Sequence, residues 1–595
     1  MDAADPRARD PLTPSLHVVL AAAVAAEVAA AVVPTMHLWG LNASRFLPPL
    51  IRFAPLLLAV AALVPWVGRA ARPAVDGLDQ GWRLPVALVA VTVALLALLP
   101  DRLGFVGDYL LRMGVLSEPG GFAATFPQAL PLDFVRHDGL PRAAAHVFGV
   151  APGTIERVLG VLEGAALALL AVHFARVIAA PSRLAVAAVA LFGGGFTLFT
   201  GYGKPTIEVC LFTAAAGVFG TQLIRENRGA IGFGLATAAA LAVHRAGWSL
   251  LPGVALGWLL WFRLHGRAGG WKSWRVAIGI GVPVAVFLAL LPRLLHLFFG
   301  FDVATNFASA EVERQGGMLR AAFSGLRLLD VANVIALLCP LALAVPVLLP
   351  QVKPLRRPEL VFLAGLVLSF VPSLLFVYVT QGPFRDWDAF AGAGAAISLS
   401  AAWLIAETLR QEPRARSLIA AIVLATLVPT LQLLVLHHDG EAGMARTRAF
   451  LTEPPRRTEA QRLATLDFIG LRSMRLHRWA DAAAAYHDVA VVAPHPRALE
   501  FWGVNAAIAG NDHEAESAFA ALAARDSTNL MGWVGLWMCG TFLGDSEEVR
   551  IARAKVGSFP PGGPEARSVE EKARRLPELS RLLEAASRGE KRPAP

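Results

Sequence analysis

Cysteine is nearly absent from this chain, and charge is missing over long stretches. Three cysteines in 595 residues, two of them (Cys210 and Cys339) inside apolar runs and the third (Cys539) in a more polar tail, exclude a disulfide framework. Charged side chains make up only 17% of the sequence against 55% hydrophobic ones. That is too few to solvate several soluble domains, and the apolar residues come in unbroken runs. The fold class that remains is all-α, a polytopic transmembrane helix bundle.

A crossing helix needs about 20 apolar residues. Runs of that kind lie near 15–39, 46–68, 84–100, 155–175, 183–200, 205–224, 229–243, 249–262, 274–299, 327–350, 358–380, 390–407 and 416–436, which makes about thirteen. The pair 229–243 and 249–262 is short enough to be a re-entrant hairpin instead, and either choice returns the chain to the same side. The first run, Ala-rich and preceded by bases, also admits a cleaved signal peptide.

Lys and Arg are retained on the cytoplasmic side of short loops. With the N-terminus (Arg7, Arg9) inside, the inner loops carry Arg69, Arg72 and Arg83; Arg176 and Arg183; Arg225 and Arg228; Arg263, Arg267, Lys272 and Arg275; Lys353, Arg356 and Arg357; and Arg410, Arg414 and Arg416. The short outer loops carry about one or two bases each. The net charge of +9 therefore records mostly inner-face anchoring and calls for no nucleic acid.

Three stretches interrupt the apolar pattern: 101–154, 300–326 and everything after His437. All three fall on the extracytoplasmic side by this parity. The first contains amphipathic pieces suited to a membrane interface; the second reads as an ordinary solvated loop. Residues 1–437 thus form the membrane domain and 438–595 an extracytoplasmic one. In that tail Gly470, Ala482, Tyr486 and Pro494 recur 33 residues later as Gly503, Ala515, Phe519 and Ser527, and Leu466 as Leu499. The pattern resembles tetratricopeptide repeats, whose period is about 34. A degenerate third unit covers 530–556, and Glu565–Arg588 reads as one capping helix.

Five polar clusters sit at the outer ends of apolar runs. Asp108 and Arg112, in Gly107-Asp108-Tyr109-Leu110-Leu111-Arg112, share a helical face and either pair with each other or leave a carboxylate free as a general base, with Asp101 as its substitute. Asp133, Arg136 and His137 combine the groups that bind phosphate or metal, or else form a solvated turn. Gly201-Tyr202-Gly203-Lys204 places a point charge suited to phosphate beside glycines that admit a ligand. His244 and Arg245 lie between two short spans, where ionisable groups usually face a cavity. In Arg385-Asp386-Trp387-Asp388 the two acids project to one side if extended and could hold a divalent cation or sugar hydroxyls, while Trp387 stacks on a sugar or anchors in the headgroups.

Taken together, these landmarks and the repeat tail resemble the type C glycosyltransferases, bacterial polytopic enzymes that take a sugar from a polyprenyl-phosphate donor. The resemblance implies an acid of the first long outer loop at the reaction centre, here Asp108 or Asp101. It implies substrate and phosphate contacts among Arg112, Asp133, His137, Tyr202, Lys204, His244, Arg385, Asp386, Trp387 and Asp388, with a divalent cation as possible cofactor on Asp386 and Asp388. The expected setting is a bacterial inner membrane, with a protein or glycan acceptor presented through the tail. A different class of reading is a non-enzymatic scaffold whose tail recruits an envelope protein. A transporter or flippase ranks third, since no clear inverted repeat is visible.

Overall fold

The computed structural model describes residues 12–116, 121–266, 272–352 and 357–593. Arg7, Arg9, Arg267, Lys353 and Arg356, counted above as inner-face bases, lie outside them. Helix accounts for about 80% of the structure, with no strand among the described residues, and the chain divides into two compact units, Met1–Arg456 and Arg457–Pro595.

Among the described residues of the first unit seven helices are long and apolar enough to cross a membrane, which makes this a multi-pass membrane protein: Ser15–Val32, Pro152–Val177, Thr206–Glu226, Trp274–Phe307, Pro358–Phe376, Trp387–Gln411 and Pro413–His438. Two bent pairs raise the number to nine if each is one span: Pro49–Ala62 with Pro65–Leu78, and Arg183–Leu191 with Gly194–Thr200. Several of the thirteen apolar runs are therefore not straight crossing helices. The run at 46–68 breaks at Pro65, which opens a new helix turned by 96°. That at 327–350 stops at Leu338 and resumes only for Ala344–Leu348, with Pro340 between. Arg83–Leu98 and Ala230–Val243 are apolar but shorter than a full crossing.

Burial orders the bundle. Trp387–Gln411 is central, with 89% of its apolar window buried, and Trp274–Phe307 is peripheral at 17%. Small residues let the central helix sit close to its neighbours: a Cβ on Gly394 would meet Leu338 at 2.7 Å. Gly234 and Gly279 do the same for Ala230–Val243 and Trp274–Leu297, where a Cβ on Gly234 would lie 2.1 Å from the Gly279 carbonyl. The peripheral helix turns Leu288, Leu295 and Phe299 outward.

Arginines gather at one set of helix ends. There Arg225 bridges Glu359 at 2.9 Å and Arg357 bridges Glu407 at 3.0 Å, while Asp79 accepts from the Leu184 amide at 2.7 Å. The polar clusters lie at the opposite ends of the same helices: Lys204 precedes Thr206–Glu226, His244 follows Ala230–Val243, and Asp386 precedes Trp387–Gln411.

Two interruptions have more structure than loops. Residues 101–154 contain Tyr109–Leu116, Gly121–Thr125, Pro131–Phe134, a π-helical turn Val135–Gly139, and Leu140–Phe148, whose Val147 and Phe148 are exposed. The stretch 300–326 is not an ordinary solvated loop. The peripheral helix continues through it to Phe307 as a π-helix, and short helices Ala310–Arg314 and Met318–Ala322 follow.

The second unit is a series of antiparallel helix pairs: Glu459–Arg475 with Trp479–Val492, Pro496–Ala509 with Asp512–Arg525, and Leu530–Leu543 with Ser546–Val556. A Cβ on Gly470 would meet the Tyr486 ring at 2.5 Å, and one on Gly503 the Phe519 ring at 2.7 Å. The recurring glycine is thus where the recurring aromatic of the paired helix lies. The segment read as one capping helix is two, Pro564–Arg575 and Pro577–Ser587, because Pro577 cannot continue the first.

Candidate active site

Two chain segments far apart in sequence are tied together at the polar end of the bundle. The Gly107 amide donates to the Arg385 carbonyl at 2.9 Å, and Arg385 returns bonds from Nε to the Phe105 carbonyl at 3.3 Å and from Nη2 to the Gly107 carbonyl at 3.4 Å. Arg385 is thus a strut between loops and not a free phosphate binder. Trp387 is buried to 1% exposure, so its indole neither stacks on a ligand nor reaches headgroups. The reason is local: Trp387–Phe390 winds as a 3-10 turn, which separates the two neighbouring acids that an extended strand would align. Asp386 faces a cavity and Asp388 lies behind it, fully buried.

That cavity has a volume of about 660 Å³, within the range of small-molecule sites. Asp108, Arg112, Asp133, Lys204, His244 and Asp386 all line it, drawn from five separate stretches of sequence. Arg245, Asp302, Asn306 and Gln381 join them. The remaining wall is mostly apolar and aromatic, with Phe126, Trp248, Phe298, Phe307, Phe370 and Phe376. Phe298 and Phe307 come from the peripheral helix, so the wall on that side belongs to the least buried span.

Charges in the cavity are mostly paired. Arg112 does not turn to Asp108: it forks onto Asp133 at 3.0 and 3.2 Å and donates to the Gly203 carbonyl at 3.2 Å. Arg245 holds Asp302 at 2.8 Å, and Asn306 donates to the same oxygen at 3.0 Å. Lys204 Nζ lies 2.8 Å from Asp388 Oδ2, which also accepts from Thr206 at 2.9 Å. Asp108 is different. Half-buried, it accepts the Gln381 amide at 3.0 Å and, among the described cavity residues, is the one carboxylate without a cation in ion-pair contact. Its neighbour Asp386 accepts the Gln381 backbone amide at 3.1 Å. Burial pushes the Asp386 pKa up to about 6; Lys204 pulls the other way, and the nearby Asp388 and Asp108 add to the rise.

His244 accepts the Ala246 amide on Nδ1 at 3.2 Å, which leaves Nε2 as the ring's proton carrier. Burial, with Arg245, Lys204 and Arg112 nearby, holds its pKa well below the ordinary imidazole value, so it is a neutral donor.

Three candidates stand elsewhere. Asp101 accepts from the Gly104 amide at 2.8 Å and lies 3.7 Å from His437, outside the cavity lining. His137 is fully buried between Glu156 at 3.0 Å and Glu208 at 3.1 Å. Burial lowers its pKa, but the two glutamates overcome this and leave it at about 9, a charged imidazolium. Beside it Arg136 binds Glu163 at 2.6 Å and Glu156 at 2.8 Å. This pair braces the π-turn against two spans and does not reach the cavity. Tyr202 is also buried; its ring stacks on Tyr109 with centroids 5.4 Å apart, and its hydroxyl has no hydrogen-bond partner among the described residues.

Asp302 and Asn306 carry no site reading in the sequence, whereas Arg245 stands there beside His244. Asp302 carries a usable signal, a carboxylate closing the longest apolar run with an asparagine one turn later.

The chain matches no family model, no curated protein and no solved structure.

Proposed function

We propose that the cavity transfers a sugar from a polyprenyl-phosphate donor to an envelope acceptor at the outer face of a bacterial cytoplasmic membrane. The observation that carries this reading is the cavity itself, where six candidate motif residues share one space with an aromatic wall bounded by the peripheral span. A charged sugar-phosphate suits the polar end and an isoprenoid chain the apolar wall. The arginine-rich helix ends support a cytoplasmic location for the opposite face.

In the reaction the acceptor oxygen attacks the anomeric carbon, the bond from that carbon to the phosphate oxygen breaks, and polyprenyl phosphate leaves. Asp108, not neutralised by a cation, takes the acceptor proton. Lys204 and Arg245 face the departing phosphate charge, and His244 offers it a hydrogen bond through Nε2–H. Fixed donors of this kind act strongly where water is excluded. The second unit is read as a tetratricopeptide-like domain, because its glycine–aromatic contacts repeat from one helix pair to the next, and it would hold a protein or glycan acceptor on its concave face.

The test is turnover of a polyprenyl-phosphate-linked hexose by the full chain in proteoliposomes. Asp108→Asn is expected to lower it by about 10²–10⁴-fold, the usual contribution of a positioned base, and Asp101→Asn to leave it near wild type. Equal activity of all three proteins would remove the proposed base. A wild type that turns nothing over, yet captures an envelope protein, would leave the scaffold reading.

A further inference from the structure

The corner where residues 107, 202–204 and 386–388 meet sets two carboxylates and a tyrosine hydroxyl around a lysine. Lys204 Nζ lies 2.8 Å from Asp388 Oδ2 and 3.9 Å from Asp386 Oδ1. A Cβ on Gly107 would fall 2.4 Å from that Nζ, 2.8 Å from Tyr202 Oη and 3.2 Å from Asp388 Oδ1, so these atoms crowd one small volume. Two of them, Tyr202 Oη and Asp388 Oδ1, are buried oxygens with no hydrogen-bond partner.

A divalent cation collects six or more oxygen ligands at about 2.0–2.6 Å. It cannot share two carboxylates with an ammonium already in contact with one of them. Among the described residues no three His, Cys, Asp or Glu side chains gather in a metal-binding arrangement. Charge gives the same answer: two carboxylates and one ammonium leave one net negative charge, whereas the carboxylates alone leave two, the match for a divalent ion.

We propose that the Lys204 ammonium is the resident cation of this corner, standing where a divalent metal would otherwise bind, and that removing it opens a divalent-cation site on Asp386, Asp388 and Tyr202. The role of that cation beside a departing phosphate rests on the glycosyl-transfer reading. Its occupancy of the corner does not.

The experiment is a Mn²⁺ titration of the full chain in lipid nanodiscs, followed by electron paramagnetic resonance, which reads bound metal without any turnover. Wild type is expected to bind no Mn²⁺ that Asp388→Asn abolishes. Lys204→Ala is expected to gain at least ten-fold in Mn²⁺ affinity and to lose that gain in the double variant with Asp388→Asn. Wild-type Mn²⁺ binding that disappears in Asp388→Asn would overturn the proposal, and this arm decides even if Lys204→Ala does not fold. So would a Lys204→Ala protein of native elution volume and helicity that gains no Mn²⁺.

Discussion

Adding a single methyl group at Gly107 probes the lysine corner from the backbone side. Gly107 has φ +51°, a left-handed conformation that costs an L-residue about 1–2 kcal/mol. Its new Cβ would also stand 2.4 Å from Lys204 Nζ and 2.8 Å from the buried Tyr202 Oη, whose displacement comes as a further cost. The ammonium ends a flexible chain and can swing aside at little steric cost, but it then gives up its 2.8 Å bond to Asp388. A hydrogen bond to a charged group is worth about 1.5–3 kcal/mol, so Gly107→Ala should cost roughly 2.5–5 kcal/mol from backbone and bond together, with the tyrosine's displacement on top. Gly149 supplies the control, with φ +65° and nothing within 4 Å of its would-be Cβ. Gly149→Ala should cost only the conformational part, about 1–2 kcal/mol. Equilibrium unfolding in mixed detergent measures the two losses side by side. Equal losses would show that Lys204 is not held at Gly107 as described, and a Gly107→Ala protein with unchanged Mn²⁺ binding and unchanged turnover would point the same way.

Two further outcomes are expected. Because the Asp386 pKa lies at about 6, above the ordinary carboxylate value, the group is neutral below that pH and negative above it; the KM for an anionic donor should therefore rise as pH passes upward through about 6, and Asp386→Asn should flatten that step in a pH profile of KM. In the second unit, Gly503→Ala drives a Cβ to 2.7 Å from the Phe519 ring; overpacking of that kind costs about 1–3 kcal/mol and should appear as faster amide exchange across Pro496–Arg525, with exchange in Trp387–Gln411 unaltered.

The membrane class was legible because burial in lipid demands long apolar runs, and no other feature of the chain competes with them. The number of crossings was less legible. Pro65 and Pro340 interrupt runs that hydropathy alone joins, since hydropathy sums side chains and does not see where a backbone must turn. At the site, Asp108, Lys204, His244 and Asp386 stood out as polar residues at the ends of apolar runs, and they converge. What sequence could not supply was direction. Arg112 has Asp108 one helical turn away and chooses Asp133, 21 positions on, a partner only tertiary folding brings near. Trp387 and Arg385 have the chemistry of ligand contacts, but Trp387 is turned inward as the 3-10 turn begins, and Arg385 is bonded across to the Phe105 and Gly107 carbonyls. Residues 300–326 look like solvent in the sequence because they form a short polar stretch after an apolar run, yet Asp302, Asn306 and Phe307 close a wall of the cavity.

The buried set around Arg136 and His137 has a consequence for any attempt to exchange this loop with that of a relative. Three carboxylates, Glu156, Glu163 and Glu208, face two cations contributed by the π-turn. A graft that ended at residue 154 would import new side chains opposite acids left behind on two spans, and stranding one partner of a buried ion pair costs about 3–5 kcal/mol. The transplantable unit is therefore longer than the loop: it runs on through Glu208, so that donor and host never split the five charges between them.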